Sequence, residues 1–240
     1  VETPRLPTHR PSAAISSLRE AFEAAILLAD IDRGDAIGVG FDTPGPATAD
    51  GVISSRGGTN FAHDGWKGYD FRTALEEELG LPVVYSNDAN AAALYAHYEH
   101  FGAIGAERSS ISAIVGTGLG GGVIESGRIV RGAAGMAGEL GHVHIPMDGL
   151  LDDGQPTPRC NCGFIGDAES VASLTGIHNN LLPYWLTRYP GHELAGVAPL
   201  DAAKQVRGFG ERGDEMAVHI FEQQAMALGR LFTIAANFTD

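Results

Sequence analysis

Residues 111–130 have the sequence ISAIVGTGLGGGVIESGRIV, and this stretch is the most informative part of the chain for the fold. The apolar run at residues 111–115 predicts a buried strand. Five glycines follow it within the seven residues 116–122, which predicts a loop. Two short apolar runs then flank Ser126-Gly127, a pair typical of a tight turn, so residues 123–130 are predicted to form a β-hairpin.

Strands alternate with helices on both sides of this stretch. Short apolar runs predict strands at residues 36–41 and 81–85. Apolar residues at helical spacing predict helices at residues 12–29, 71–79, 90–100 and 215–238, and a helical region that opens at 169–175. Ser12 is the expected cap of the first helix, and Gly80 the expected end of the second. This alternation indicates a layered α/β protein, with a domain boundary near residues 102–109.

Composition and charge exclude several classes of protein. The 240 residues include 16 Lys and Arg against 30 Asp and Glu, which gives a net charge of −14. A surface this negative repels nucleic acid and anionic lipid, so we expect neither as a partner. No apolar run approaches the roughly 20 residues that span a bilayer, and residues 1–10 lack the apolar core of a signal peptide. Two cysteines exclude a disulfide scaffold and indicate a cytoplasmic protein.

The glycine loop at residues 116–122 is the first candidate for chemistry. Consecutive glycine amides can turn inward and bind anionic oxygens, which an acidic protein with few cations needs if it binds phosphate. The alternative is a tight connection that only requires positive φ angles. It is not a P-loop, because no Lys followed by Ser or Thr comes after the glycines.

Acidic residues supply the second candidate. Asn87 and Asp88 directly follow a predicted strand, where ligands bind in open α/β sheets, so Asp88 is a candidate acceptor for the proton of a substrate hydroxyl. Asp is also a common N-cap, and on this feature alone capping is the better interpretation. Further along the chain, Glu139 and Glu169 could accept hydrogen bonds from a polyol or could face solvent.

A third candidate combines sulfur, nitrogen and carboxylate ligands. His142, Cys160 and Cys162 lie close together in the sequence, and thiolates with a neutral imidazole suit zinc. Tetrahedral zinc needs a fourth ligand, and Asp167 is the nearest suitable residue. The alternative is a pair of packed thiols without a metal.

Taken together, five segments resemble the ROK family, a group of sugar kinases and sugar-responsive repressors within the actin-like ATPase superfamily. They are GVG at residues 38–40 with TPGP at 43–46, NDANAAA at 87–93, the glycines at 116–122, GELGH at 138–142 and CxCGxxGxxE at 160–169. The resemblance is close over residues 37–175, and the motifs occur in family order.

The resemblance implies a two-lobed, actin-like (ribonuclease H-like) α/β fold with mixed sheets flanked by helices. Residues 1–105 would form a smaller N-terminal lobe that lacks the first strands, and residues 106–240 a larger lobe with the phosphate loop and the zinc and sugar signature. The family's first phosphate loop and its adenosine-binding glycine segment are not found in the sequence, so we expect a chain trimmed at both ends. The resemblance also implies a homodimer.

The activity that the resemblance implies is transfer of the γ-phosphate of ATP, with Mg²⁺, to the 6-hydroxyl of a hexose. Asp88 would be the catalytic base. The sugar would be bound by Asn87, Asp88, Glu139, His142 and Glu169, and the phosphates by Gly116, Thr117, Gly118, Gly120, Gly121 and Gly122. Zinc would be held by His142, Cys160, Cys162 and Asp167, with Asp167 in place of the family's third cysteine. One ring nitrogen of His142 would face zinc and the other the sugar.

The sequence is compatible with several alternatives. Glucose is the first expected substrate because no feature makes room for an N-acetyl group, but N-acetylglucosamine, N-acetylmannosamine, mannose and fructose are alternatives, as is polyphosphate in place of ATP. A ROK-type transcriptional regulator would need a helix-turn-helix, which the sequence does not contain. A catalytically silent sugar-binding protein is the third hypothesis.

Overall fold

The computed structural model describes residues 10–45, 47–53, 61 and 63–239. Residues 1–9, 46, 54–60, 62 and 240 lie outside the described residues, and they include Pro46 of the TPGP motif and the first nine residues of the predicted N-terminal lobe. The chain divides into two compact units. Unit 1 contains the residues up to Tyr95 together with Ile129–Ala137, and unit 2 contains Ala96–Arg128 and the residues from Gly138 onward. The predicted boundary between residues 105 and 106 stays a prediction.

Unit 1 combines two parallel strands with helices. Its elements are α1 (Pro11–Ala29), β1 (Val39–Thr43), α2 (Phe71–Leu79), β2 (Val83–Asn87) and the first part of α3 (Asp88–Phe101). A 3₁₀ turn at Arg33–Asp35 precedes β1. The two strands pair so that Asp42 lies opposite Ser86 and Thr43 opposite Asn87. The residues at the carboxyl ends of both strands therefore lie at one edge of the pair.

The core of unit 1 lies against α2. Phe71, Leu75 and Leu79, spaced four residues apart, are buried on one face of this helix. The Asp70 side chain accepts the N–H of Thr73 at 3.0 Å and caps the helix. Gly80 ends it with a φ of 67°, a left-handed conformation that glycine adopts at little cost. The predicted helix at residues 71–79 and its glycine end are confirmed.

Unit 2 contains a small sheet followed by helices. Its strands are β3 (Ser110–Val115) and β4 (Leu119–Glu125), which pair antiparallel. The short strand β5 (Arg128–Ile129) begins at Arg128, the last residue of this part of unit 2, and the order in the sheet is β3-β4-β5. Ser126 and Gly127 join β4 to β5 with φ angles of 48° and 72°, which confirms the predicted hairpin. The helices are α4 (Leu174–Gly176), a π-turn at Ile177–Leu181, α5 (Leu182–Arg188), α6 (Pro199–Glu211) and α7 (Glu215–Thr239).

The core of unit 2 lies along α7, as the helical spacing predicts. Residues of this helix that recur every three or four positions are buried, namely Met216, Ile220, Gln223, Ala227, Leu231 and Ala235. The apolar residues of this set pack with Leu181, Leu182 and Val206 of the preceding helical segments and with Leu194 of the 3₁₀ turn Glu193–Gly196. Among the described residues, no helix is both long enough and apolar enough to span a membrane.

Several predicted strands and helices begin or end at other residues than expected. Strands predicted at residues 36–41 and 81–85 lie at 39–43 and 83–87, because parallel pairing continues to Thr43 and Asn87. Ser12 does not cap α1, which begins at Pro11 after Arg10 without a side-chain cap. The helical region predicted to open at 169–175 begins at Leu174, since the Ser173 side chain caps it by accepting the N–H of Gly176. Helix α6 was not predicted.

Candidate functional site

Asn87 and Asp88 lie at the junction of β2 and α3. The Asn87 Oδ1 accepts hydrogen bonds from the N–H groups of Ala89 at 3.0 Å and Asn90 at 3.2 Å, so Asn87 caps the helix. Asp88 is exposed, and one of its oxygens accepts the N–H of Ala89 at 2.8 Å. The interpretation of Asp88 as the cap is therefore wrong. Its carboxylate faces solvent at the first residue of α3, where it is accessible to a ligand.

A second carboxylate lies near Asp88 and was not predicted as a site residue. Desolvation raises the pKa of Asp42 above its ordinary value, and the negative charge of Asp88 raises it further. Asp42 lies at the carboxyl end of β1, as Asp88 follows the carboxyl end of β2. The rule that directed attention to Asp88 applies equally to Asp42, so the signal was present in the sequence.

Asn90 is a buried polar residue in the first turn of α3, two positions after Asp88. It is 6% exposed, and its Oδ1 has no hydrogen-bond partner among the described residues. An unpaired buried acceptor costs about 1–3 kcal/mol. Asn90 lines a shallow depression in unit 1 with Ala47, Thr48, Ala49, Tyr85, Ser86, Asn87, Arg131 and Gly135. The sequence offered no signal for this role, because an Asn in the first turn of a helix is common.

The glycine segment differs from its prediction. The predicted loop at residues 116–122 is wrong, because β4 begins at Leu119 and its glycines pair with β3. The turn is limited to Gly116, Thr117 and Gly118. No glycine of this segment has a positive φ, so the alternative interpretation is also wrong.

Close packing explains two of these glycines. A Cβ on Gly118 would lie 2.6 Å from Glu169 Oε2, and a Cβ on Gly121 would lie 2.5 Å from Leu140 Cδ1. Neither position has room for a side chain unless its neighbour moves.

The backbone groups of the turn divide between protein and solvent. The carbonyls of Gly116 and Thr117 accept the N–H groups of Leu174 and Thr175, each at 3.0 Å. Within the described part of the chain, the N–H groups of Thr117 and Gly118 donate to no protein atom. Of the six predicted phosphate-binding residues, Thr117 and Gly118 are therefore those whose unpaired amides could bind anionic oxygens. Gly120, Gly121 and Gly122 lie in the strand instead.

The structure brings the four predicted metal ligands together. One ligand atom from each of His142, Cys160, Cys162 and Asp167 lies within 4.8 Å of the others. The His142 Nδ1 is 3.2 Å from Asp167 Oδ2 and 3.7 Å from the sulfur of Cys162. Zinc bonds of about 2.0–2.3 Å in tetrahedral geometry separate neighbouring ligand atoms by about 3.3–3.8 Å. These residues therefore fit a zinc ion with small adjustments.

Burial and hydrogen bonding determine the protonation of this cluster. Burial alone would raise the pKa of the fully buried Asp167, but hydrogen bonds from His142 and the N–H of Ser170 leave it below its ordinary value. The hydrogen bond to Asp167 raises the pKa of His142 to about 9, although burial opposes it. Burial raises the pKa of the Cys160 thiol. A metal ion would replace the protons of these ligands.

Glu169 connects the four candidate metal ligands, His142, Cys160, Cys162 and Asp167, to the glycine turn. Its Oε1 accepts a hydrogen bond from the Cys160 thiol at 3.2 Å, and its Oε2 accepts the N–H of Leu119 at 2.8 Å. The backbone N–H of Glu169 donates to the carbonyl of Gly141 at 2.8 Å. Glu139, a half-buried residue, directly precedes the 3₁₀ turn Leu140–His142. The two glutamates predicted as sugar ligands are thus held by segments that pack together within unit 2.

Comparisons with known proteins give a consistent result. Residues 6–240 match the ROK family. The chain is 34% identical over 215 residues to a glucokinase of Halalkalibacterium halodurans, an alignment that covers 85% of this chain and 59% of the relative. The chain therefore spans about three fifths of that relative's length.

Solved structures are also similar. A ROK hexokinase from Thermus thermophilus is 30% identical with a TM-score of 0.71, and the match covers 99% of this chain and 69% of that one. A ROK glucokinase from Streptomyces griseus, solved with glucose and AMPPNP, is 27% identical with a TM-score of 0.63. That match covers 98% of this chain and 70% of the other.

Proposed function

The chain belongs to the ROK family and has its actin-like α/β fold, and we propose that it is an ATP-dependent hexose kinase. The observation that most supports kinase activity is the exposed carboxylate of Asp88 at the start of α3. Asn87 caps this helix, so the Asp88 carboxylate is not needed as the cap. The glucokinase name of a 34% identical relative and the glucose in a similar solved structure favour glucose as the substrate. The 6-hydroxyl is the proposed acceptor.

In the proposed reaction, Asp88 accepts the proton of the 6-hydroxyl while the hydroxyl oxygen attacks the γ-phosphorus of ATP. The new oxygen–phosphorus bond forms as the bond to the β-phosphate oxygen breaks, and ADP leaves. The unpaired amides of Thr117 and Gly118 bind phosphate oxygens as charge develops on them. Mg²⁺, when bound with the nucleotide, supplies neutralisation of phosphate charge.

The remaining sugar hydroxyls are proposed to bind polar side chains of the motifs at residues 87–93, 138–142 and 160–169. Glu139 and Glu169 accept hydrogen bonds from hydroxyls. Asn87 uses its amide NH₂, because its oxygen already accepts two backbone N–H groups. The Nδ1 of His142 faces the other candidate metal ligands, Asp167 and Cys162, so Nε2 is the nitrogen proposed to bind the sugar.

Zinc is the proposed occupant of the cluster, held by His142, Cys160, Cys162 and Asp167. Four protein ligands make this a closed, structural site that would fix the ring of His142. The Asp167 carboxylate carries the same charge as a third thiolate but is a harder ligand, so we expect weaker binding of zinc than by three cysteines. The homodimer stays a prediction from family resemblance, and the cytoplasmic location stays a prediction from the two cysteines.

The test of this function is a kinetic comparison of the Asp88→Asn variant with the wild-type chain, on glucose with ATP and Mg²⁺. General base catalysis contributes about 10²–10⁴-fold, so kcat should fall by that factor. Sugar affinity should change little, because Asn keeps the size and one acceptor. Asp50→Asn, which removes an exposed acid elsewhere in unit 1, is the matched control.

Two results would contradict the assignment. Turnover that persists in Asp88→Asn would exclude Asp88 as the base. Loss of turnover in Asp42→Asn, with Asp88→Asn still active, would transfer the role to the neighbouring acid.

A further inference from the structure

Glu169 does more in the structure than face a substrate. Its Oε2 accepts the N–H of Leu119, the first residue of β4 and the residue directly after the glycine turn. Hydrogen bonds to an ionised carboxylate are stronger than those between neutral groups. This bond therefore fixes where the turn ends and the strand begins.

Other hydrogen bonds fix the rest of the turn: two residues of α4 bind its carbonyl groups, and Gly116 binds Gly118 within the turn. Leu174 and Thr175 donate their N–H groups to the carbonyls of Gly116 and Thr117, and the Thr175 hydroxyl donates to the Thr117 carbonyl at 2.7 Å. The Gly116 N–H donates to the Gly118 carbonyl at 2.9 Å. With Glu169 bound to Leu119, the amides of Thr117 and Gly118 are those within residues 116–119 that have no protein acceptor in the described part of the chain.

Steric contact reinforces the same link. A Cβ on Gly118 would lie 2.6 Å from Glu169 Oε2, closer than real Cβ atoms approach an oxygen. A side chain at position 118 would therefore displace the carboxylate from its present position beside Leu119. A Cβ on Gly116, two residues earlier in the turn, would meet no heavy atom within 4 Å.

We propose that Glu169 is a positioning residue for the phosphate-binding turn, in addition to its proposed contact with the sugar. Its carboxylate holds the N–H of Leu119 and so orients the amides of Thr117 and Gly118 toward phosphate oxygens. This inference rests on the proposed function, in which those amides bind the phosphates of ATP. A single side chain then serves both the sugar and the nucleotide.

The experiment compares Glu169→Ala and Glu169→Gln in the full chain. Amide hydrogen exchange of Leu119 measures the bond directly, and isothermal titration with Mg²⁺ and AMPPNP, and separately with glucose, measures the two affinities. In Glu169→Ala, Leu119 should exchange faster and AMPPNP should bind about tenfold more weakly. In Glu169→Gln, the amide oxygen can still accept from Leu119, so slow exchange and AMPPNP affinity should be retained while glucose binds more weakly.

Glycine variants provide an independent pair if Glu169→Ala does not fold. Gly118→Ala should accelerate exchange at Leu119 by displacing the carboxylate, whereas Gly116→Ala should leave that exchange unchanged. Unchanged exchange at Leu119 in both Glu169→Ala and Gly118→Ala would overturn the proposal. Faster exchange with unchanged AMPPNP affinity would overturn it as well, because the bond would then not serve the phosphates.

Failure of the proposed kinase function would be visible separately. It would show as no phosphorylation of any hexose by the wild-type chain. Exchange at Leu119 and binding of AMPPNP are both measured without turnover, so they report on the positioning role whether or not sugar is phosphorylated.

Discussion

Replacing Asp167 with Asn should remove a pH-dependent part of the free energy of unfolding of the metal-free protein. Asp167 is fully buried and contacts the Nδ1 of His142 at 3.2 Å. Asn has nearly the same shape and can still accept the N–H of Ser170 through Oδ1, which Asp167 accepts at 2.9 Å. The variant therefore loses the charge that stabilises protonated His142 and little else.

The magnitude follows from the pKa of His142, which is raised from 6.5 to about 9. This rise corresponds to an upper limit of about 3.4 kcal/mol, since each tenfold change in proton affinity is worth about 1.36 kcal/mol. The His142 side chain is 33% exposed, so solvent screening reduces the expected effect to about 1–2 kcal/mol. Because the folded pKa is the higher one, this stabilisation is complete below pH 6.5 and is lost as pH rises through about 9.

The assay is urea unfolding with a chelator present, at a series of pH values from 6 to 10. Trp185 is buried in the core of unit 2, and a Trp66→Phe background removes the other tryptophan of the chain, so that fluorescence reports on this unit. The variant should be less stable than the wild type by about 1–2 kcal/mol at pH 6, and the difference should disappear near pH 10. The charge of Asp167 also raises the pKa of the Cys160 thiol, so both proteins are compared in a background that carries Cys160→Ser and Cys162→Ser, which removes thiol titration from the difference. A difference that does not change with pH would refute the charged pair.

Three further predictions concern single positions. Cys162→Ser should lower bound zinc well below one ion per chain by mass spectrometry after dialysis, and full zinc content in this variant would exclude Cys162 as a ligand. Asn90→Leu should stabilise the ligand-free protein to thermal unfolding by about 1 kcal/mol, because it removes an unpaired buried acceptor, and destabilisation would show that the acceptor is satisfied. Gly121→Ala should cost about 1–3 kcal/mol through overpacking against Leu140, whereas Gly40→Ala, with no atom within 4 Å of its Cβ, should cost less, and equal costs would contradict this.

Periodicity and turn chemistry were sufficient to predict helices α1, α2, α3 and α7 and the β4–β5 hairpin, although helix α6 was missed. Helices α2 and α7 carry buried residues every three or four positions, and Ser126-Gly127 fits the hairpin turn, so each signal lies within a short stretch of sequence. The group of candidate metal ligands was predictable for a different reason. Zinc requires particular ligand types, and the chain has two cysteines, so the choice of residues was small.

Features that depend on distant partners could not be predicted in this way. The glycines of β4 form a strand because β3 pairs with them and because Leu140 packs directly over Gly121. The cap of α3 is Asn87 rather than Asp88, and both residues offer a suitable acceptor, so only the geometry of the β2–α3 junction decides between them. The proximity of Asp42 to Asp88 depends on parallel pairing between segments more than forty residues apart.

The most direct test of the proposed activity is identification of the product by ³¹P nuclear magnetic resonance. The chain is incubated with ATP and Mg²⁺ and with glucose, N-acetylglucosamine, N-acetylmannosamine, mannose or fructose in separate samples. We predict equimolar ADP and a sugar 6-phosphate, formed fastest from glucose. Absence of a phosphorylated product from every sugar, or phosphate on a hydroxyl other than the 6-hydroxyl, would contradict the proposed function.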